Sequence, residues 1–492
     1  MLMSDYTRNR WYGTFRRRVL VDVDVLLGDT RIALVREAIG TRPADRSVGS
    51  RSIGSPDYPT LPSCDRRRFA GREDCFVTAS PRSSASVVVL SSGAASSTAF
   101  LRSLGRRGVH TIAASERANT PAFWSRYCDE SVRVPSPAED LLGYKDALLS
   151  LAARSDVRTI VPVREVDVYV LSKYRSAFAG HVTPLWPSLE TLRIVHDRIA
   201  LADAAEAAGV SDPNTRSLDR VDSWDRPSVI KARYAVLADA YVPSLPASES
   251  REMGKPYFPA VGVTPDRATI TAELGHVPIV QDHVTGTEYS FRALYDRGTA
   301  IVTAQKRGVR GFKYARGPSV YHRSVADPRI EEAGRALFDA IEWHGPAEVS
   351  FVREAGTGDL YLLEVNPRFW ATLPCDINAG VDFPHHYWGL ATGDPVRADG
   401  GYAAGTGTHL LRGELSYLYS VLTGEHAYIE RPRVRDALGD VLGSIVAEPS
   451  FDLFSMTDPG PFIGDVLSFL PHGPGVAHCR PRWRPVGLSE SD

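Results

Sequence analysis

Within five residues at the end of one apolar run, Glu364, Asn366 and Arg368 supply a carboxylate, an amide and a guanidinium. Side chains alternate along a strand, so Glu364 and Asn366 share a face while Val365 turns into the core. Hard divalent cations take oxygen ligands, and magnesium is usually held by one or two carboxylates together with substrate phosphates. Pro367 stops the strand and leaves Arg368 where its planar fork can meet a phosphate oxygen. The pattern therefore suits a metal-bound polyphosphate; read alone, it equally suits a strand end carrying a solvated acid and base.

Three further clusters carry candidate chemistry. Residues 279–288 read as a strand running into a Gly286 turn that ends in Glu288. Backbone groups of such a turn can read a flat heterocycle, and the acid can accept ribose hydroxyls; a plain strand and turn fits the same residues. The run Ser228, Val229, Ile230 ends in Lys231, in a chain whose only lysines are at 145, 173, 231, 255, 306 and 313. A compact ammonium suits a phosphate, and His196-Asp197-Arg198, at a helix start, can add a second cation or simply be surface charge. Residues 305–314 gather Lys306, Arg307, Arg310 and Lys313 beside glycines, which reads as a mobile basic loop over a phosphate chain or as a solvated loop.

The elements that must position these groups fall into blocks. At 492 residues, two to four domains are expected. Residues 1–84 hold fifteen arginines and no lysine, with Ser/Pro/Gly-rich runs, and residues 1–85 read as a weakly ordered extension or a mis-assigned start, with a strand and helix open for 19–39. Residues 86–90 are a continuous apolar run followed by a small-residue turn and a helix ending near Gly108. With strands at 109–113 and 159–163 and a helix at 166–178, residues 86–187 form an α/β domain with a doubly wound parallel sheet. A helical stretch closes at Gly209, and strands are expected at 228–230, 260–263, 278–281 and 289–294. A helix at 331–341 and a hairpin over 347–365, turning at Gly356-Thr357-Gly358, complete an α+β unit. His385, His386, Trp370 and Trp388 read as packing residues.

Net charge is −2 and no run approaches the roughly 18 apolar residues of a membrane span, so neither nucleic acid nor membrane is expected as a partner. The five cysteines contain no CxxC pair, which argues for a reducing, cytoplasmic setting over a disulfide framework.

Taken in order, the four clusters resemble the ATP-grasp superfamily over residues 86–395, closest to carboxylate–amine ligases with a carbamoyl-phosphate-synthase-like domain order. The resemblance implies α/β plus α+β architecture: a Rossmann-like preATP-grasp domain (86–187), then a two-subdomain ATP-grasp fold of small lid subdomain (188–280) and large subdomain with the metal site (281–398). Residues 399–492 are left as a C-terminal extension of unassigned role. It further implies ATP with Mg2+, or Mn2+, as cofactors, and small-molecule carboxylate and amine substrates joined through an acyl phosphate. By carry-over, Arg198 and Lys231 bind phosphate, Gln281 and the Val284 backbone meet adenine, and Glu288 meets ribose. Glu348, Glu364 and Asn366 hold metal, Ser350 being the alternative to Glu348, and Arg368 with Arg307 clamps the transferring group. Arg198 stands where the family often has lysine, and no glycine-rich flap follows Lys231. The alternative is a nucleotide-binding protein of this fold without ligase turnover. A homodimer is open, since symmetric dimers are common.

Overall fold

The computed structural model describes residues 84–394 and 401–468, apart from 252 and 427. The expectation of an extension over residues 1–85, with a strand and helix at 19–39, lies almost wholly outside the described residues.

The chain from Ser86 opens a four-stranded sheet in the order β3-β2-β1-β4. Its strands are β1 (Ser86–Leu90), β2 (His110–Ser115), β3 (Glu130–Arg133) and β4 (Val157–Val161), paired parallel throughout. β1 is buried at every position, which is why it reads as an unbroken apolar run. Helices α1 (Ala95–Arg106), α2 (Leu141–Ala152), α3 (Glu165–Lys173) and α4 (Arg175–Ala179) complete this unit. The single helix expected over 166–178 is thus two, broken at Tyr174, and β3 was not anticipated.

A smaller antiparallel sheet follows, β5 (Arg216–Ser217), β9 (Ile279–Asp282) and β6 (Ser228–Lys231) in that order. It carries helices α5 (Leu189–His196), α6 (Arg198–Ala207) and α7 (Arg267–Leu274), with a short β7 (Leu237–Ala238) and β8 (Ser250–Arg251) ribbon. Leu218, Val221, Trp224, Ile230 and Val280 form a core of their own beneath this sheet. Residues 260–263, expected as a strand, are a turn.

The largest sheet has six antiparallel strands in the order β14-β13-β10-β11-β12-β15. These are β10 (Gly286–Asp296), β11 (Thr299–Lys313), β12 (Arg316–Val325), β13 (Gly345–Glu354), β14 (Leu360–Asn366) and β15 (Gly407–His409). The β13–β14 hairpin turns through Gly356 and Gly358, both with positive φ, as the sequence indicates. Phe291, Val349 and Phe351 pack one face toward α8 (Pro328–Ala340), where Gly334 lies so close to Phe291 that a Cβ would come within 2.2 Å of its ring.

One expectation is corrected by this sheet, and the C-terminal residues find places beside it. Residues 305–314 are not a loop: they lie mostly within β11, hydrogen-bonded to β10 on one side and β12 on the other. Residues beyond 399 supply β15 to the sheet's edge, and helices α11 (Leu411–Thr423), α12 (Val434–Ala447) and α13 (Gly460–Leu467) follow. α9 (Leu373–Asn378) and α10 (Phe383–Thr392) return the chain from β14 toward the parallel sheet. Arg102 of α1 bonds Asp458 at 2.8 Å, tying the C-terminal segment to the first unit. Strand β9 runs on to Asp282, so residues 281 and 282 belong to the smaller sheet.

Candidate active site

The metal-type motif is placed by the register of β13 and β14. Glu348 pairs with Asn366, and Ser350 with Glu364, so all four side chains stand on one face of the sheet. Glu348 and Ser350 therefore both border the motif, but only Glu348 brings a second carboxylate. Among the described residues no set of three or more His, Cys, Asp and Glu gathers as a metal cluster. Two carboxylates and an amide oxygen nevertheless fit magnesium, which keeps waters and takes phosphate oxygens for its remaining positions.

Glu348 is nearly buried, at 3.1 Å from Arg292 Nε and 3.6 Å from Lys306 Nζ. Burial would raise its carboxyl, but Lys306, Arg292 and Arg368 overcome that and hold it at about 2. Arg292 is fully buried, donates to Asp376 at 2.7 Å, and also bonds the Thr372 hydroxyl. Asp376 accepts from Trp370 Nε1 as well. This network, which the linear motifs did not reveal, follows from Arg292 sitting opposite Glu348 in the β10–β13 register.

The smaller sheet contributes the cations. Lys231 and Gln281 share a face, because Lys231 pairs with Ile279 and Val229 with Gln281, while Ile230 and Val280 fill the core on the other side. Burial and the neighbouring Arg198 bring the Lys231 ammonium down to about 7, against the opposing pull of Glu364. Asp197 breaks the helical stretch and caps α6 by accepting from Ile199 N–H. That break aims Arg198 at β14: its Nη2 lies 3.4 Å from Glu364 Oε2, and its Nη1 donates to the Ala232 carbonyl at 2.9 Å. Burial would raise Glu364; Arg198, Lys231 and Arg368 together pull it below the usual carboxylate range.

Arg368 spans to the first unit, its Nε 3.0 Å from Glu165 Oε1 on α3 while Nη2 donates to Asn366 Oδ1 at 3.1 Å. Glu165 also faces His196 Nε2 at 3.3 Å. Asp167, two residues further along α3, is fully buried and bonded to Tyr144 and Arg164, which makes it a structural acid. Arg353 pairs with Asp327 and lies over the Tyr289 ring.

Val284 lies in the short link between β9 and β10, where the two sheets join. Gly286 opens β10 so close to β13 that a Cβ would come within 1.9 Å of the Arg353 carbonyl, which accounts for glycine there. Glu288 then falls on the same face as Ser290 and Arg292 and within electrostatic reach of Lys306. Gln281 is buried, its amide donating to Thr215 Oγ1 at 2.7 Å.

Arg307 is not brought to this face. It pairs with Tyr289 and Arg323 and is exposed, whereas Lys306, one residue before it, pairs with Ser290 and turns inward. Strand alternation reverses the roles: the inward cation of the basic segment is Lys306.

A parallel-sheet domain, a small antiparallel sheet and a large antiparallel sheet whose facing walls carry these groups make up the ATP-grasp fold. Biotin carboxylase from Campylobacter jejuni, solved in complex with β,γ-ATP, superposes with a TM-score of 0.50 at 14% identity over 65% of this chain and 74% of that one. Two other solved structures are similar: Rhizobium etli pyruvate carboxylase (TM-score 0.47, 16% identity, 63% of this chain and 28% of that one) and an L-amino acid ligase from Bacillus licheniformis (0.45, 13%, 64% and 75%). The chain thus spans little more than a quarter of the pyruvate carboxylase. No protein-family model and no curated protein sequence matches the chain. No helix among the described residues is long and apolar enough to cross a membrane.

Proposed function

We propose that the protein is an ATP-dependent ligase that activates a small-molecule carboxylate as an acyl phosphate and joins it to an amine, releasing ADP and phosphate. The observation that carries this reading is the convergence of Lys231 from the smaller sheet and Arg198 from α6 on Glu364 of the large sheet, beside the facing pair Glu348 and Asn366. Two cations opposite an acid and amide pair suit a polyphosphate lying between the sheets.

In this reading Gln281 and the Val284 backbone take the adenine edge and Glu288 the ribose. Lys231 and Arg198 neutralise the phosphate chain, and Arg368 holds the γ-phosphoryl in line with an incoming carboxylate oxygen. A magnesium ion at Glu364, Asn366 and Glu348 would supply charge neutralisation between phosphates. The carboxylate oxygen bonds to the γ-phosphorus as the bond to ADP breaks. The amine nitrogen then adds to the acyl carbon, loses a proton, and phosphate departs. No side-chain nucleophile is needed, because the acyl phosphate is itself the good electrophile. Approach of the smaller sheet would exclude water that otherwise hydrolyses it.

A second reading, nucleotide binding without turnover, draws on Glu348, whose carboxylate is already engaged by Arg292 and Lys306. Calorimetric titration with MgATP, followed by ADP and phosphate release in mixtures of carboxylates and amines, separates the two. Turnover dependent on both substrates supports the ligase; binding with no release under any mixture supports the alternative.

A further inference from the structure

A cavity of about 530 Å3 lies between the parallel sheet, the β11–β12 hairpin and the C-terminal segment, a size ordinary for small-molecule sites. One wall is the turn that leads into α1. Gly93 there adopts φ +91°, and the guanidinium of Arg117 is the nearest group to where its Cβ would stand, at 3.9 Å. The Ala94 N-cap has no side-chain acceptor, and the first turn of this 12-residue helix carries no acid, so its positive end faces the cavity uncompensated. The opposite wall belongs to the C-terminal segment, with Arg412, Asp452 and Asp465.

Several lining groups lack the partners that burial ordinarily demands. Thr120 is 2% exposed, lines the cavity, and its Oγ1 makes no hydrogen bond. Arg412 Nε is also buried without one; the nearest carboxylate oxygen, Asp465 Oδ1, is 3.4 Å away. Asp452 is 2% exposed, and its Oδ1 stands 3.5 Å from His322 Nε2, too far for a normal hydrogen bond. Burial pushes the Asp465 carboxyl up despite Arg412, as for an acid short of a cation. Two guanidiniums and a helix N-terminus therefore share one cavity with two carboxylates, and Phe312, Pro318 and Leu410 add apolar surface between them.

The cavity also touches the site described above. Thr372 lines it, and its hydroxyl accepts from Arg292, the same guanidinium that holds Glu348.

We infer that this cavity binds a free zwitterionic α-amino acid, with its carboxylate toward Arg412, Arg117, Thr120 and the α1 N-terminus and its ammonium toward Asp452 and Asp465. Resting on the ligase reading, this names an amino acid as one of the two substrates. A ligand with a single charge would leave either the buried Thr120 hydroxyl and Arg412 Nε or the buried Asp452 and Asp465 without a further counterpart, which disfavours simple acids and simple amines.

The test titrates each of the twenty protein amino acids into the full chain without nucleotide, by calorimetry and thermal shift. The best ligand is compared with its amine and carboxylic acid analogues lacking one charge. Expected is saturable binding of at least one amino acid, weakened about tenfold or more in either analogue and in Arg412→Gln and Asp465→Asn, roughly one charge-assisted contact. Thr120→Val, a near-isosteric change, should weaken binding with the melting temperature unchanged, which guards against variants that merely unfold. Absence of binding by all twenty, or analogues that bind as well as the parent, overturns the inference. Parallel titration with MgATP distinguishes the two readings: amino acid binding without MgATP binding keeps the cavity and sinks the ligase, and the reverse does the opposite.

Discussion

The guanidinium of Arg198, the first residue of α6, lies 3.4 Å from the carboxylate of Glu364, near the end of β14 and 166 residues further along the chain. Charge-assisted hydrogen bonds are usually shorter, about 2.7–2.9 Å. This contact is longer than that, while Arg198 itself is buried and held by its Nη1 bond to the Ala232 carbonyl at 2.9 Å. Under the proposed function the two groups face the phosphate chain together.

Glu364→Gln removes the acid while keeping its shape, and Lys231→Ala removes the cation opposite. Each is expected to lower MgATP-dependent turnover about 10²-fold or more, the usual cost of losing one preorganised charge contact. Steady-state ADP release checks this, with circular dichroism confirming that both variants fold. Wild-type rates in both variants would sink the site.

Lys231, brought down to about 7, is mostly neutral in the free protein at about pH 8. A phosphate beside it favours the ammonium, so nucleotide binding should take up a proton, and affinity should fall as pH rises above about 7. Titration in two buffers of different ionisation heat measures the uptake, which Lys231→Arg should abolish. For stability the sign is opposite: the unfolded chain binds the extra proton between about 7 and the usual lysine value of about 10.4, so this lysine makes stability rise with pH across that window.

Arg292 is fully buried between Glu348 and Asp376. Arg292→Ala strands both acids in the interior and is expected to cost about 3–5 kcal/mol, read by urea denaturation. A double variant that also carries Asp376→Asn should lose less than the sum of the two single changes.

Lys306 and Arg307 are neighbours on opposite faces of β11. Arg307→Ala should leave turnover within about twofold, as for exposed charges, whereas Lys306→Ala should impair it by releasing Glu348. Equal effects in the two variants would contradict the strand register.

Much of the fold was legible in local pattern. The apolar run of β1, the small-residue turn into α1 and the β13–β14 hairpin at Gly356 and Gly358 follow from burial and turn chemistry acting over a few residues. The basic segment differs from its local pattern because glycines beside charges look the same in a loop and in a long twisted strand; only pairing with β10 and β12 separates them.

By itself the sequence determined which residues end strands as chemistry-bearing groups, Glu364, Asn366 and Arg368 on one run and Lys231 on another, and that Arg198 stands at a helix start. Period-2 alternation and helix starts are local, so one chain suffices to read them. Tertiary structure alone decided that Arg292 and Asp376 form the buried support of Glu348, that Lys306 faces inward and Arg307 outward, and that residues beyond 399 add a strand and close a charged cavity. These depend on register between strands far apart in sequence, where a shift of one residue would turn every side chain to the other face.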